Sequence, residues 1–117
     1  HDVDFIQWAL GDTIESVYAV ATSSTDELQS CDVQDNATMM MTTQRHKTVI
    51  TLSMSRRAVY GYDQRCEVFC SNGKVCVENI PETSTVVSNS VGVHSSRLQH
   101  SYDTRFNEAF RLELETY

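Results

Sequence analysis

Apolar residues recur at helical spacing near the start of the chain. This spacing predicts a helix over residues 2–10, since such positions share one helical face. Gly11 follows where a helix end favours a left-handed residue, which glycine adopts without steric cost. We expect Phe5 and Trp8 of this helix to lie in the core. The repeating apolar positions are Phe5, Ile6, Ala9 and Leu10.

The next segments alternate with the period of β-strands. Residues 14–21 predict one strand, and a polar loop follows over residues 22–32. Two runs rich in Met, Thr, Val and Ile, residues 37–43 and 47–54, predict a hairpin whose turn type and register stay open. In the second run Ile50, Leu52 and Met54 point to one side, while Val49, Thr51 and Ser53 point to the other.

The second half of the chain predicts two more strands, at about residues 65–70 and 74–79. The Asn72-Gly73 dipeptide is typical of a two-residue hairpin turn and places Cys70 opposite Val75 and Phe69 opposite Cys76. A weaker strand is expected over residues 84–87. Residues 91–101 are irregular in pattern, and apolar spacing from Tyr102 onwards predicts a second helix.

Helix, hairpin-connected strands and helix together predict an α+β fold with an open, mostly antiparallel sheet and helices on one face. The chain has 117 residues and no Pro/Gly/Ser-rich linker. We therefore expect a single domain over residues 1–117.

The charge balance argues against two classes of partner. Nine basic and sixteen acidic residues give a formal net charge of −7, which repels nucleic acid and anionic membrane surfaces. The sequence has no apolar run of the roughly 20 residues that span a bilayer. We predict neither a nucleic-acid nor a membrane partner.

Four cysteines raise the question of disulfides or a metal site. In the predicted hairpin Cys70 and Cys76 face opposite sides, and Cys66 lies about 13 Å from Cys70 along one strand, which is beyond disulfide reach. The spacings lack a Cys-x-x-Cys pair. We expect buried free thiols, no metal site and a reducing, cytoplasmic setting.

The segment with the clearest functional character carries Tyr60, Gly61, Tyr62 and Asp63 between arginines. If this segment is extended, the two tyrosines share a face, and Gly61 allows close backbone approach. Their hydroxyls could bind a polyol. Alternatively, either tyrosine could be a core aromatic with its hydroxyl at the edge.

Residues 56–69 resemble the substrate-domain segment of inositol 2-dehydrogenases, in the glucose-fructose oxidoreductase (Gfo/Idh/MocA) family. The opening His1-Asp2-Val3-Asp4 is similar to the His-Asp-x-Asp pattern that begins a helix there, and residues 102–110 resemble the start of the closing helix of the family. The resemblance implies a C-terminal substrate-binding and oligomerisation domain, truncated at both ends and without its nucleotide-binding domain.

The resemblance also implies roles for particular residues. His1 would accept a proton while NAD or NADP takes a hydride from a cyclic polyol or sugar, and Asp4, Tyr60 and Tyr62 would hold that substrate. Asp4 could instead only stabilise the helix N-terminus. A glycine-rich phosphate loop is absent from the sequence. We therefore expect no cofactor binding and no activity from this chain alone.

Two other functions stay open: a non-catalytic sugar-sensing or assembly domain of the same family, and a free-standing oligomeric scaffold. In every case the predicted sheet leaves one side partly apolar. We expect a homo-oligomer through the face that carries Val49, Thr51 and Ser53.

Overall fold

The computed structural model describes residues 1–117, which form two compact units, residues 1–57 and residues 58–117. Each unit has its own strands and helices. None of the helices has the length and apolar character needed to cross a membrane.

The first unit combines two helices with a three-stranded antiparallel sheet in which β2 lies between β1 and β3. The helix, the strand and the hairpin predicted here are confirmed. The polar loop is wrong in part, because Thr25 caps a five-residue helix within it by accepting a hydrogen bond from the Leu28 N–H at 3.3 Å. The elements are α1 (Asp2–Leu10), β1 (Ile14–Thr22), α2 (Asp26–Ser30), β2 (Asn36–Thr43) and β3 (Val49–Ser55).

The two faces of this sheet differ in burial. Met41 of β2 lies opposite Val17 on one side and Ile50 on the other, and it is only 1% exposed. Ile50 and Leu52 are half-buried, which confirms that they share the more buried side. The alternate residues Val49, Thr51 and Ser53 are exposed, as the pattern predicts.

A buried carboxylate organises each end of the sheet. Asp12 accepts hydrogen bonds from the backbone N–H groups of Thr13, Arg45 and His46, at 2.9, 3.1 and 2.8 Å. These bonds hold the β2–β3 turn, in which Lys47 has a φ of 53°. Burial raises the pKa of Asp12, but these bonds and one from the Thr43 side chain outweigh that effect and lower it to about 2.

At the other end Asp35 accepts hydrogen bonds from the Ser24 N–H at 2.8 Å and from the Ser24 hydroxyl. Its own carbonyl accepts the Arg56 N–H at 2.9 Å. The Ser24 hydroxyl is the main cause of the lowered pKa of Asp35. Through its carboxylate and its backbone carbonyl, Asp35 therefore ties the segments beside β1 and β3 to the start of β2.

The second unit contains two separate two-stranded antiparallel sheets and two short helices. Residues 92–95 form a strand, so the irregular segment expected there is wrong in part. The predicted closing helix is present but breaks at Phe106. The elements are β4 (Cys66–Cys70), β5 (Gly73–Val77), β6 (Val86–Asn89), β7 (Gly92–Ser95), α3 (Tyr102–Arg105) and α4 (Asn107–Thr116).

The β4–β5 hairpin is present, but its predicted register is wrong by two residues. Cys70 pairs with Gly73 and Phe69 with Lys74, because the two-residue loop is Ser71-Asn72 and not Asn72-Gly73. Cys70 and Cys76 still point to opposite faces, since Cys76 lies opposite Glu67. All four cysteines are free thiols, but none is buried, so that part of the prediction is wrong.

These elements confirm the α+β class and the antiparallel pairing. The strands are divided among three sheets and do not form one continuous sheet. His1 and Asp4 belong to the first unit, and Tyr60 and Tyr62 belong to the second.

Candidate functional site

The N-terminus of α1 brings His1 and Asp4 together. His1 is the N-cap residue, and its carbonyl accepts the Phe5 N–H at 2.9 Å. Asp4 lies in the first helical turn, and both side chains are exposed. The positive end of the helix dipole favours a carboxylate at this position. The helix end therefore carries an exposed histidine and an exposed aspartate three residues apart.

Two aromatic side chains continue this face of α1. Phe5 and Trp8 contact each other with ring centroids 6.0 Å apart, and Trp8 is 79% exposed. The prediction that both lie in the core is wrong for this unit. Helical spacing shows that apolar residues share a face, but not whether another element covers that face.

The tyrosine segment of the second unit is a tight turn and bend, so the expectation of an extended segment is wrong. Gly61 has a φ of 131°, and a Cβ placed there would lie 2.7 Å from the Leu98 Cβ. The next residue, Tyr62, donates its N–H to the Gln99 carbonyl at 2.8 Å. Gly61 therefore permits the segment to lie directly against residues 98 and 99.

The turn gives the two tyrosines different surroundings. Tyr62 is half-buried and packs edge-on against Phe106, with ring centroids 5.9 Å apart. Tyr60 is 58% exposed. The side chain of Tyr62 thus has the contacts of a core aromatic, whereas Tyr60 is mostly exposed to solvent.

Asp63 is the centre of a polar cluster, which we call the Asp63 cluster: Asp63, Tyr60, Arg65 and Asn79. The Asp63 carboxylate accepts the Tyr60 hydroxyl at 2.5 Å, the Arg65 Nε at 2.7 Å and the Asn79 Nδ2 at 2.6 Å. Asn79 also accepts the Gln64 N–H through its Oδ1 at 2.9 Å. Four side chains from the turn and from the end of the β4–β5 hairpin are thereby fixed to one another.

The cluster shifts the ionisation of its members. The hydrogen bond from Arg65, followed by those from Tyr60 and Asn79, lowers the pKa of Asp63 to about 2. The hydrogen bond that the Tyr60 hydroxyl donates to Asp63 raises the pKa of Tyr60. At neutral pH the carboxylate is therefore ionised and the phenol keeps its proton.

The predicted site residues thus form two local groups. His1 and Asp4 share one end of α1 in the first unit, and Tyr60 belongs to the Asp63 cluster in the second. Glu67 is not part of this cluster, because it binds Lys74 at 2.7 Å. Sequence reasoning missed Asn79, because no spacing rule connects an asparagine after β5 to a turn 16 residues earlier.

The glycines of the chain occupy a helix end, a close backbone contact and two hairpins. Gly11 ends α1 and Gly61 allows the close approach to Leu98. Gly73 and Gly92 begin the second strands of the two hairpins. All four glycines of the chain therefore have other structural roles, and none joins a strand to a helix around a phosphate site.

Comparison with known proteins gives consistent matches along the chain. A myo-inositol 2-dehydrogenase of Thermotoga maritima is 33% identical, and the match covers 100% of this chain and 35% of that protein. An inositol 2-dehydrogenase of Rhizobium meliloti is 35% identical, with 100% and 36% covered. The chain spans about a third of the length of these relatives.

Solved structures match over the same extent. A probable dehydrogenase from Thermotoga maritima superposes with a TM-score of 0.91 at 32% identity, covering 99% of this chain and 35% of that one. A scyllo-inositol dehydrogenase from Lactobacillus casei with bound NAD(H) and scyllo-inositol superposes with a TM-score of 0.85 at 26% identity, covering 97% and 33%.

The family model for the GFO/IDH/MocA C-terminal domain matches residues 1–76, which is more than half of the chain and includes His1, Asp4, Tyr60 and Tyr62. The resemblance drawn from the His-Asp-x-Asp opening and the tyrosine segment is thus confirmed. This chain belongs to the GFO/IDH/MocA C-terminal domain family.

Proposed function

We propose that residues 1–117 are one C-terminal domain of an NAD(P)-dependent dehydrogenase that oxidises a cyclic polyol or sugar to a ketone. The observation that carries the proposal is the pairing of His1 and Asp4 at one exposed helix end in a chain of this family. Relatives named inositol dehydrogenases, one of them solved with NAD(H) and scyllo-inositol, support the substrate class and the cofactor.

His1 is the proposed base of the reaction. Oxidation of an alcohol carbon removes a hydride from carbon and a proton from oxygen, and NAD or NADP supplies the acceptor for the hydride. The His1 imidazole accepts the hydroxyl proton, a role suited to histidine near neutral pH. The alcohol carbon then becomes the carbonyl carbon of the ketone, and the proton passes to solvent.

Asp4 and the tyrosines are the proposed substrate contacts. The exposed Asp4 carboxylate can accept hydrogen bonds from substrate hydroxyls. Tyr60 is 58% exposed and Tyr62 is half-buried, which favours Tyr60 as a direct contact. Tyr62 has its ring packed on Phe106, so any contact it makes with substrate is limited to its hydroxyl edge.

The dinucleotide site is proposed to lie outside this chain, because all four glycines have other structural roles. Calorimetric titration of this chain with NAD should therefore give no binding heat. A micromolar dissociation constant for NAD would contradict the proposal that the dinucleotide site lies outside this chain.

The test of catalysis uses a longer protein that carries this chain together with a nucleotide-binding half. We expect reduction of NAD or NADP with at least one of myo-inositol, scyllo-inositol, glucose or a dihydrodiol. His1→Ala should lower kcat by about 10²–10⁴, the usual contribution of a general base. His94→Ala, which removes an exposed histidine of β7, is the matched control and should leave kcat unchanged.

Asp4 is tested through substrate affinity. Asp4→Asn should raise the KM for the polyol by roughly tenfold, because it removes a charged acceptor. Asp26→Asn is the control, since Asp26 is also an exposed carboxylate in a first helical turn. An equal effect of the two substitutions would reduce Asp4 to a helix-stabilising residue.

The sheet of the first unit is proposed to form a homo-oligomer contact. Thr51 lies opposite Met40, and Met40 lies opposite Tyr18, so an exposed row crosses all three strands on the face of Val49. Light scattering should show a dimer or larger assembly that Thr51→Arg dissociates. Thr85→Arg, at an exposed position in the second unit, should not. A monomeric wild type would rule the contact out.

A further inference from the structure

The hydrogen bonds of the Asp63 cluster determine what the Tyr60 hydroxyl can offer to a ligand. Asp63 accepts from Tyr60 at 2.5 Å while its other oxygen accepts from Arg65 and Asn79 at 2.7 and 2.6 Å. An ionised carboxylate has no proton to donate. The single proton of Tyr60 is therefore directed at Asp63.

With its proton committed, the phenol oxygen keeps only acceptor capacity. A tyrosine hydroxyl that donates one hydrogen bond can still accept from another donor. Tyr60 is 58% exposed, so such a donor can arrive from solvent. The available partner is a hydroxyl or other hydrogen-bond donor, and not a group that only accepts.

Two further contacts keep the carboxylate in place. Arg65 binds both oxygens of Asp63, through Nε at 2.7 Å and Nη2 at 3.1 Å, in the bidentate geometry typical of strong arginine–carboxylate pairs. Asn79 holds the same carboxylate and the Gln64 backbone together. The direction of the Tyr60 proton thus depends on a carboxylate that is itself fixed on several sides.

We propose that Asp63 is a positioning residue that fixes Tyr60 as a hydrogen-bond acceptor for a hydroxyl group of the polyol. This inference rests on the proposed function for the identity of the ligand. It goes further by naming the residue that orients the contact and the direction of the hydrogen bond. A substrate position occupied by fluorine, which cannot donate, is therefore recognised no better than one occupied by hydrogen.

Raman spectroscopy of this chain tests the orientation without any substrate. The tyrosine Fermi doublet reports whether a phenol donates or accepts a hydrogen bond, and the difference between wild type and Tyr60→Phe isolates Tyr60 among the five tyrosines. We expect the signature of a strong donor. An acceptor signature, in which the phenol donates no hydrogen bond, overturns the proposal whether or not the protein acts on polyols.

Kinetics of the longer protein test the positioning role. Tyr60→Phe and Asp63→Asn should each raise the polyol KM by roughly 3–10-fold with little change in kcat, the size of one lost hydrogen bond. The double variant should be no worse than Tyr60→Phe alone, because Asp63 acts through Tyr60. Additive effects overturn the proposal. Glu67→Gln, which removes a different ion-paired carboxylate, is the matched control and should leave KM unchanged.

Substrate analogues supply a readout that a purely structural role would not move. For the hydroxyl that contacts Tyr60, the wild type should discriminate equally against the deoxy and fluoro analogues, and Tyr60→Phe should lose that discrimination. A fluoro analogue that binds better than the deoxy analogue means that Tyr60 donates, which overturns the proposal. The analogue experiment needs only the wild type and Tyr60→Phe. It therefore decides the direction of the hydrogen bond between Tyr60 and the substrate even if Asp63→Asn does not fold. Absence of turnover with every polyol removes the proposed function and its ligand, while the Raman result still decides the orientation.

Discussion

The two units differ in how their chains are stabilised. The first places its buried residues in and beside one three-stranded sheet: Met41 and Thr43 of β2, Asp12 and Asp35. In the second, Gly61 alone is buried, while large side chains such as Phe69, at 77%, are exposed. The three-stranded sheet therefore encloses buried side chains, whereas the paired strands of the second unit contain no buried residue.

The difference follows from elementary sheet energetics. An isolated two-stranded hairpin is marginally stable in water, and three strands with an apolar face are the usual minimum for independent stability. The first unit meets that minimum and adds a buried carboxylate at each end of its sheet. The second unit relies more on polar contacts such as the Asp63 cluster.

The largest expected effect is the loss of the Met41 side chain. Met41→Ala should reduce the free energy of unfolding by about 2–5 kcal/mol, because it leaves a cavity beside Val17 and Ile50. Denaturant titration measures this change. Val75→Ala in β5 is the control and should cost much less, since Val75 is 59% exposed. Equal losses for the two variants would break the comparison.

Gly61→Ala should have the next largest effect, about 1–3 kcal/mol. The added methyl group meets the Leu98 Cβ at 2.7 Å at a φ of 131°. Hydrogen exchange at the Tyr62 amide, which binds the Gln99 carbonyl, is the measurement, and its protection should fall. Gly11→Ala is the control at φ 59° with no atom within 4 Å, so it carries only the cost of left-handed backbone. Unchanged protection in Gly61→Ala would contradict the close packing.

Asp12 should make the first unit sensitive to acid. Its folded pKa of about 2 lies below the usual value of 3.8, so the ionised form stabilises the fold. That contribution is complete above pH 3.8 and is lost as the pH falls towards 2. Asp12→Asn should lower stability at neutral pH and flatten the acid transition between those values, as followed by circular dichroism. An unchanged acid transition would show that Asp12 does not control it.

The smallest effect concerns the cysteines and tests exposure directly. All four should react with an alkylating reagent after unfolding without reductant, as free thiols. In the native protein Cys31, Cys70 and Cys76 should react before the half-buried Cys66. Mass spectrometry counts the products. Two fewer alkylations than cysteines would indicate a disulfide.

Local patterns accounted for most of the elements. Gly11 marked the end of α1, and the alternation around Ile50 correctly assigned the two faces of β3. The β4–β5 turn was found but placed one residue late, since a dipeptide preference does not state which residues form the loop. The five-residue helix α2 was missed because one turn is too short to show a period.

Local patterns in the sequence predicted only part of the candidate site. His1 and Asp4 were identified through the resemblance of the His-Asp-x-Asp opening, and their three-residue spacing places them on one helical face. The Asp63 cluster was not identified from the sequence, because the contact of Asn79 with Asp63 depends on how the β4–β5 hairpin folds back towards the turn. The different surroundings of Tyr60 and Tyr62 likewise required the bend at Gly61.

The sequence by itself determined the family, the α+β class and the helix that carries His1 and Asp4, because these depend on local order and residue type. The tertiary structure decided the hairpin register, the exposure of Trp8 and the direction of the Tyr60 hydroxyl. Each of these depends on which distant atoms lie within about 3–4 Å, where hydrogen bonding and dispersion act. Spacing along the chain does not contain that information.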